Sequence, residues 1–144
     1  MRTLEQWLDA YAVSHQHPTN QAIHHIAVPG IYLSIVGLIW SLPSLSLLGM
    51  DIHWIWLVSV PVLWFYARLS MAVCLMMLGF TLACIGLAWS VEAMALPLAA
   101  LSFALFVLLW GAQFVGHRIE GKKPSFFADV QFLLIGPLWV FYKH

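Results

Sequence analysis

Leu69–Val91 reads LSMAVCLMMLGFTLACIGLAWSV and carries no charged side chain from end to end. The hydrocarbon core of a bilayer is about 30 Å thick, and an α-helix needs about 20 apolar residues to cross it. This stretch has that length and that composition. Similar runs lie on both sides of it. Ile23–Leu42 is a first span, Ile52–Ala67 a short second one, Leu69–Val91 the third and Ala95–Val115 the fourth. Phe126–Phe141 is a fifth candidate, interrupted by Asp129, Gln131, Gly136 and Pro137. It reads as a full span, a half-helix or an interfacial segment. Pro43–Asp51 is a turn, and only Arg68 separates the second run from the third.

Composition agrees with that reading. Of the 144 residues, 62% are hydrophobic and 8% are charged, and mean hydropathy is +0.89. Soluble domains carry roughly 25% charged residues, and a small domain has too much surface to hide so many apolar groups from water. The expected architecture is an all-α, polytopic membrane bundle of about four to five transmembrane helices. Six basic residues balance six acidic ones. The chain has no basic stripe, which excludes nucleic acid as a partner. Cys74 and Cys84 share one apolar run about 15 Å apart, too far for a disulfide, and read as small hydrophobes.

Thr3–His15 reads as an amphipathic helix in the membrane interface. Thr3 and Gln6 have capping-box spacing. Leu4, Trp7, Leu8 and Tyr11 share one face, and Trp and Tyr suit the headgroup region. Residues 1–17 are thus an interfacial helix and 18–144 the bundle, together one membrane-embedded domain. The first 22 residues have no continuous apolar segment, so no cleavable signal peptide is expected. With five spans and a cytoplasmic N-terminus, Arg2, Arg68, Arg118, Lys122 and Lys123 lie inside and only Lys143 outside, as the positive-inside rule requires. If the last segment does not span, Lys143 moves inside as well. Small size and a single unit favour a bacterial inner membrane over the endoplasmic reticulum.

The seven histidines are unevenly placed. His15, His17, His24 and His25 lie at the entrance to the first span and His117 at the exit of the fourth. This puts all five on one face of the membrane. His53, beside Trp54 and Trp56, lies on the other face and reads as an interfacial anchor. His144 reads as a loose tail. Asn20 and His24 are four apart, as are Gln113 and His117; His117 and Glu120 are three apart. Each of these histidines therefore has a carboxamide or carboxylate within helical reach, the kind of partner that orients a metal-bound imidazole. His25 points about 100° away from His24 on a helix, so the two do not bind one ion together. Ionisable residues within membrane helices are costly and mark function. Asp129 reads either as a helix-start residue or as an acid. Arg118, Lys122 and Lys123 set topology and are placed to attract an acidic headgroup.

Two stretches carry a family resemblance. Tyr11-x3-His15-x4-Asn20-x3-His24-x4-Pro29 resembles the N-terminal motif of the metal-dependent 2-hydroxy fatty acid dioxygenases, which act in phytosphingosine breakdown. Gln113-Phe114-x-Gly116-His117-x2-Glu120-x-Lys122-Lys123-Pro124 resembles that family's other signature. Ala27, where Gly is frequent, and Ser125, where Ala is usual, depart from the pattern. The resemblance implies an Fe(II) enzyme with His15, His24 and His117 as metal ligands, and Asn20, Gln113 and Glu120 orienting ligands or relaying protons. It implies 2-hydroxy fatty acid and O2 as substrates, and α-oxidation to a fatty acid one carbon shorter plus CO2. Membrane lipids are the expected surroundings.

Other classes compete on the residues alone. Two histidines on neighbouring helices suit a haem-binding membrane anchor for electron transfer, and a histidine set suits a zinc-dependent lipid hydrolase. A non-catalytic packing subunit would need none of the histidines. The HxxHH-type boxes of the membrane desaturases are missing.

Overall fold

The computed structural model describes residues 2–142. Lys143, used in the orientation count, and the terminal His144 lie outside the described residues. Among the described residues six α-helices follow one another: α1 (Leu4–Ala12), α2 (Pro18–Trp40), α3 (Trp54–Leu69), α4 (Met71–Ala93), α5 (Leu98–Glu120) and α6 (Phe132–Tyr142). Three of them, α2, α4 and α5, are long and apolar enough to cross a membrane. The shorter apolar helices are α3, with 16 residues, and α6, with 11. At 1.5 Å per residue α6 extends about 16 Å, roughly half of a hydrocarbon core. That length is too short for a full span, the first of the three readings open for that segment.

The break before α6 has a local cause. Asp129 Oδ1 accepts the N–H of Gln131 at 2.9 Å, a side-chain bond that competes with helix formation. Phe126 and Phe127 therefore fall in a 3-10 turn (Ser125–Phe127) instead of the helix. The expected turn at Pro43–Asp51 contains more structure than the sequence suggested. Strands β1 (Leu45–Leu47) and β2 (Met50–Ile52) form an antiparallel hairpin with Ser46 opposite Asp51. The boundary near Arg68 falls at Ser70, whose extended backbone (φ −169°, ψ 141°) ends α3 and starts α4.

The chain forms two compact units. The first comprises the described residues up to Tyr32 and those from Leu105 onward. Here α1 starts at the anticipated capping box, with Thr3 and Gln6 bonded reciprocally. Its apolar face was expected in the headgroup region. In the structure Trp7, Leu8 and Tyr11 are buried against protein, and α1 packs on α6. Trp7 meets Phe132 edge-on at 5.1 Å, and Tyr11 meets Trp139 at 5.5 Å. Nearly all of α6 from Ile135 to Val140 is buried here.

The second unit, Leu33–Ala104, is built around α3 and α4, which pack on each other. Tyr66, Val73 and Met77 are completely buried, and Cys74 Sγ approaches Leu63 O at 3.5 Å. In this unit His53 stacks on Trp40 at 3.8 Å and 14°. Outward-facing residues such as Leu75, Leu87, Trp89 and Phe103 are apolar and exposed. So much exposed apolar surface is abnormal in water and normal in lipid.

Candidate metal centre

His15, His24 and His117 come together in the first unit, each offering one ligand atom within 4.8 Å of the others. His15 follows α1, His24 lies in the second turn of α2, and His117 lies one turn from the end of α5. All three are buried, with exposures of 1%, 1% and 5%. Their rings lie edge-to-face, with centroids 4.4–4.8 Å apart.

Local geometry decides which nitrogen each ring presents. Helical side chains lean towards the preceding turn, so His24 Nδ1 reaches the main-chain oxygen of Asn20 at 3.0 Å. His15 Nδ1 reaches Tyr11 O in the same way at 2.7 Å. A carbonyl oxygen only accepts, so both Nδ1 atoms carry the proton and both Nε2 atoms present a lone pair. His24 Nε2 faces His117 Nε2 at 3.1 Å, the spacing expected of two imidazoles on one ion with bonds of about 2.1 Å. His15 Nε2 is buried and has no hydrogen-bond partner among the described residues. An orphaned buried nitrogen is costly, and a cation at the meeting point of the three rings would satisfy it. The donor set thus fits a metal ion. Burial, with a smaller contribution from the nearby His117, brings His15 down to about 4 against the opposing pull of the Tyr11 carbonyl. The ring is neutral near pH 7, which is the ligating form.

The remaining expected residues are distributed as follows. Asn20 is completely buried, and its Nδ2 donates to Ser14 O (3.1 Å) and Glu120 Oε1 (3.2 Å). Glu120 Oε1 also accepts the N–H of His17 at 2.7 Å, so the carboxylate sits at the entrance to α2, where a helix N-terminus favours negative charge. Gln113 is buried one turn before His117. Side-chain partners were expected to orient the histidines, but for His15 and His24 main-chain oxygens do so. His17 is exposed, its Nδ1 accepting the N–H of Thr19. His25 bonds Gln21 O and lies against Trp139, outside the triad as its 100° offset requires. Asp129 begins the approach to α6 and is not among the clustered ligands.

Helix ends and close approaches hold these pieces together. At Gly116, next to His117, an added Cβ would collide with Asn20 Oδ1 and come within 3.4 Å of Ile23 Cδ1, so any side chain here would have to push the Asn20 amide aside. Gly121 takes φ 76° and returns its N–H to His117 O at 3.0 Å, the left-handed cap that ends α5 just after Glu120.

Four neighbours of the centre were not identified as such from sequence. Tyr11 stacks on His15 (4.1 Å, 8°), and Trp139 packs on the same ring at 5.2 Å. Ser14 Oγ approaches His15 Nδ1 at 3.2 Å and bonds Ser125 Oγ at 2.6 Å. The i, i+4 spacing of Tyr11 and His15 was a usable signal. Nothing local marks Trp139. Ser125 stood out only as a departure from the resembled pattern, and the structure gives it a partner.

A family described as Mpo1-like, 2-hydroxy-palmitic acid dioxygenase Mpo1-like, matches residues 1–143. Among curated proteins and among solved structures there is no match. The family match covers both histidine-bearing stretches, so the chain belongs to the Mpo1-like family of 2-hydroxy-palmitic acid dioxygenases.

Proposed function

We propose that the protein is a membrane-embedded, Fe(II)-dependent dioxygenase that converts a 2-hydroxy fatty acid and O2 into the fatty acid one carbon shorter and CO2. The carrying observation is the convergence of His15, His24 and His117, with the Nε2 of His15 buried and unpartnered. These three imidazoles would hold the iron. When bound, ferrous iron would supply oxygen activation and open coordination positions for a chelating substrate.

The chain's own residues account for the rest. Tyr11 O and Asn20 O hold the Nδ1 protons of His15 and His24, keeping both Nε2 lone pairs on the ligating side. Tyr11 and Trp139 cover the His15 ring and keep water from that side. Arg118, Lys122 and Lys123, just beyond His117, carry the positive charge that attracts a carboxylate. The exposed apolar faces of the helices suit an acyl tail. The reaction balances without an added reductant: R–CH(OH)–COOH + O2 gives R–COOH + CO2 + H2O. The C1–C2 bond breaks, C2 is oxidised to the new carboxyl, and the four electrons released reduce O2.

The same charge placement supports a cytoplasmic N-terminus with the triad at the cytoplasmic boundary, and the small size of the chain favours a bacterial inner membrane. A haem between two of these rings fits poorly, because the third ring, under 5 Å from both, lies where the macrocycle must go. A three-histidine zinc centre for lipid hydrolysis uses the same donors; it needs no oxygen. The test is an aerobic and anaerobic assay of 2-hydroxypalmitate in membranes, with metal analysis of the purified protein. Oxygen-dependent release of the shortened acid by iron-loaded protein, lost in His24→Ala and in His117→Ala, is expected. Full activity in either variant ends the proposal.

A further inference from the structure

We propose that Asn20 is a positioning residue that sets the register of all three histidines. Its side chain hydrogen-bonds none of the three rings, yet Asn20 touches a close chain neighbour of each. Its Nδ2 donates to the carbonyl of Ser14, the residue before His15. Its own main-chain oxygen holds Nδ1 of His24. Its Oδ1 lies against Gly116, the residue before His117, and its Nδ2 also reaches Glu120, three residues after His117. Ser14 and Glu120 are separated by most of the chain, and this one amide joins them.

The geometry also separates two roles that the sequence left together, orienting and proton relay. Both partners of Nδ2 are acceptors, so the amide cannot be turned over without setting oxygen against oxygen. Oδ1 then faces Gly116 and has no N–H or O–H partner among the described residues. A relay needs a donor and an acceptor in line with the exchanging proton, and Oδ1 rests instead on a glycine Cα. A fully buried carboxamide with an unpaired oxygen costs stability; holding three chain segments in register is a function that justifies it.

This inference rests on the triad being a metal centre, and the experiment separates the two. Purified full-length protein in detergent is titrated with Co(II), following its ligand-field absorption, and the metal-free protein is melted in parallel. Asn20→Ala is expected to weaken Co(II) binding about 10–100-fold, the loss seen when a partner of a metal ligand is removed, and to change the absorption envelope. A plain packing residue would lower the melting temperature and leave affinity and spectrum unchanged; that result overturns the inference. Gly116→Ala, whose methyl presses on Oδ1 and so shifts the planar amide without removing it, should weaken binding less, in the same direction. Asn20→Asp sets a carboxylate against Glu120 and should bind poorly, and adding Glu120→Gln should restore part of the affinity. A double variant no better than Asn20→Asp counts against the positioning role. If the unmodified protein takes up no Co(II), or His24→Ala takes it up equally well, the metal centre itself fails and this inference with it.

Discussion

The two compact units are built from the same material, apolar helix, and differ in what they do with buried polar side chains. In Leu33–Ala104 the buried polar residues are hydroxyls, Ser34, Thr81 and Ser102. Thr81 Oγ1 simply bonds Met77 O in its own helix at 2.7 Å. In the unit formed by the chain ends, His15, Asn20, His24, Gln113 and His117 are all buried. A hydroxyl can be satisfied locally by the preceding turn. An imidazole has two ring nitrogens, and only one of them can be satisfied that way. The second must find a partner elsewhere; in this unit the Nε2 atoms of His24 and His117 face each other, and that of His15 has no hydrogen-bond partner among the described residues. Burying several imidazoles is worthwhile only where they do something jointly.

The largest effect should come from the triad itself. His24→Ala or His117→Ala should reduce 2-hydroxypalmitate turnover to background, whereas Thr81→Val in the other unit should keep turnover within about twofold, because Thr81 lies outside the unit that holds the triad. Comparable losses from both would dissolve the contrast.

Next is Trp139→Ala, which strips a buried ring from Tyr11, His15 and His25 and should cost about 3–5 kcal/mol. Its counterpart is Met77→Ala in the second unit, at about 2–5 kcal/mol. Both should lower the melting temperature, but only Trp139→Ala should also lower the Co(II) affinity of the folded protein. Equal affinities in the two variants would show that the aromatic cover does not support the centre.

A pH effect of similar size follows from His15. Its ordinary value of 6.5 falls to about 4 in the folded protein, chiefly through burial. Between those values the unfolded chain binds a proton that the folded chain refuses, so metal-free stability rises with pH across that window. Through this group, acidifying from 6.5 to 4 should cost roughly 3 kcal/mol. His15→Gln should flatten this segment of a melting-temperature profile; a profile unchanged by the substitution would mean another group is responsible.

The smallest effect is expected on the outer faces. Leu108 is 70% exposed. Leu108→Ala should change stability in detergent by no more than about 0.5 kcal/mol and leave turnover unaltered. A larger loss would show that this face has a protein partner.

The apolar runs were legible because lipid imposes length and composition on any segment that crosses it, and this constraint acts on each segment separately. The capping box at Thr3 and Gln6 and the shared helix faces of Asn20 with His24 and of Gln113 with His117 were legible for a similar reason: they depend on spacing within one helix. The β-hairpin at Leu45–Ile52 was missed because its strands are only three residues long, too short for an alternation to show. The sequence leaves the short length of α6 open, because Asp129 reads either as a helix-start residue or as an acid and composition alone does not choose between them.

By itself, then, the sequence determined the solvent, the helical class and the small set of polar residues that lipid cannot tolerate without a reason. Only the tertiary structure decided that His15 and His24 are oriented by main-chain oxygens, that Tyr11 and Trp139 cover the first of them, and that Asn20 joins Ser14 to Glu120. The physical reason is that every residue carries the same carbonyl, so a main-chain acceptor leaves no mark in the sequence. Contacts between opposite ends of the chain likewise depend on packing that no single segment encodes.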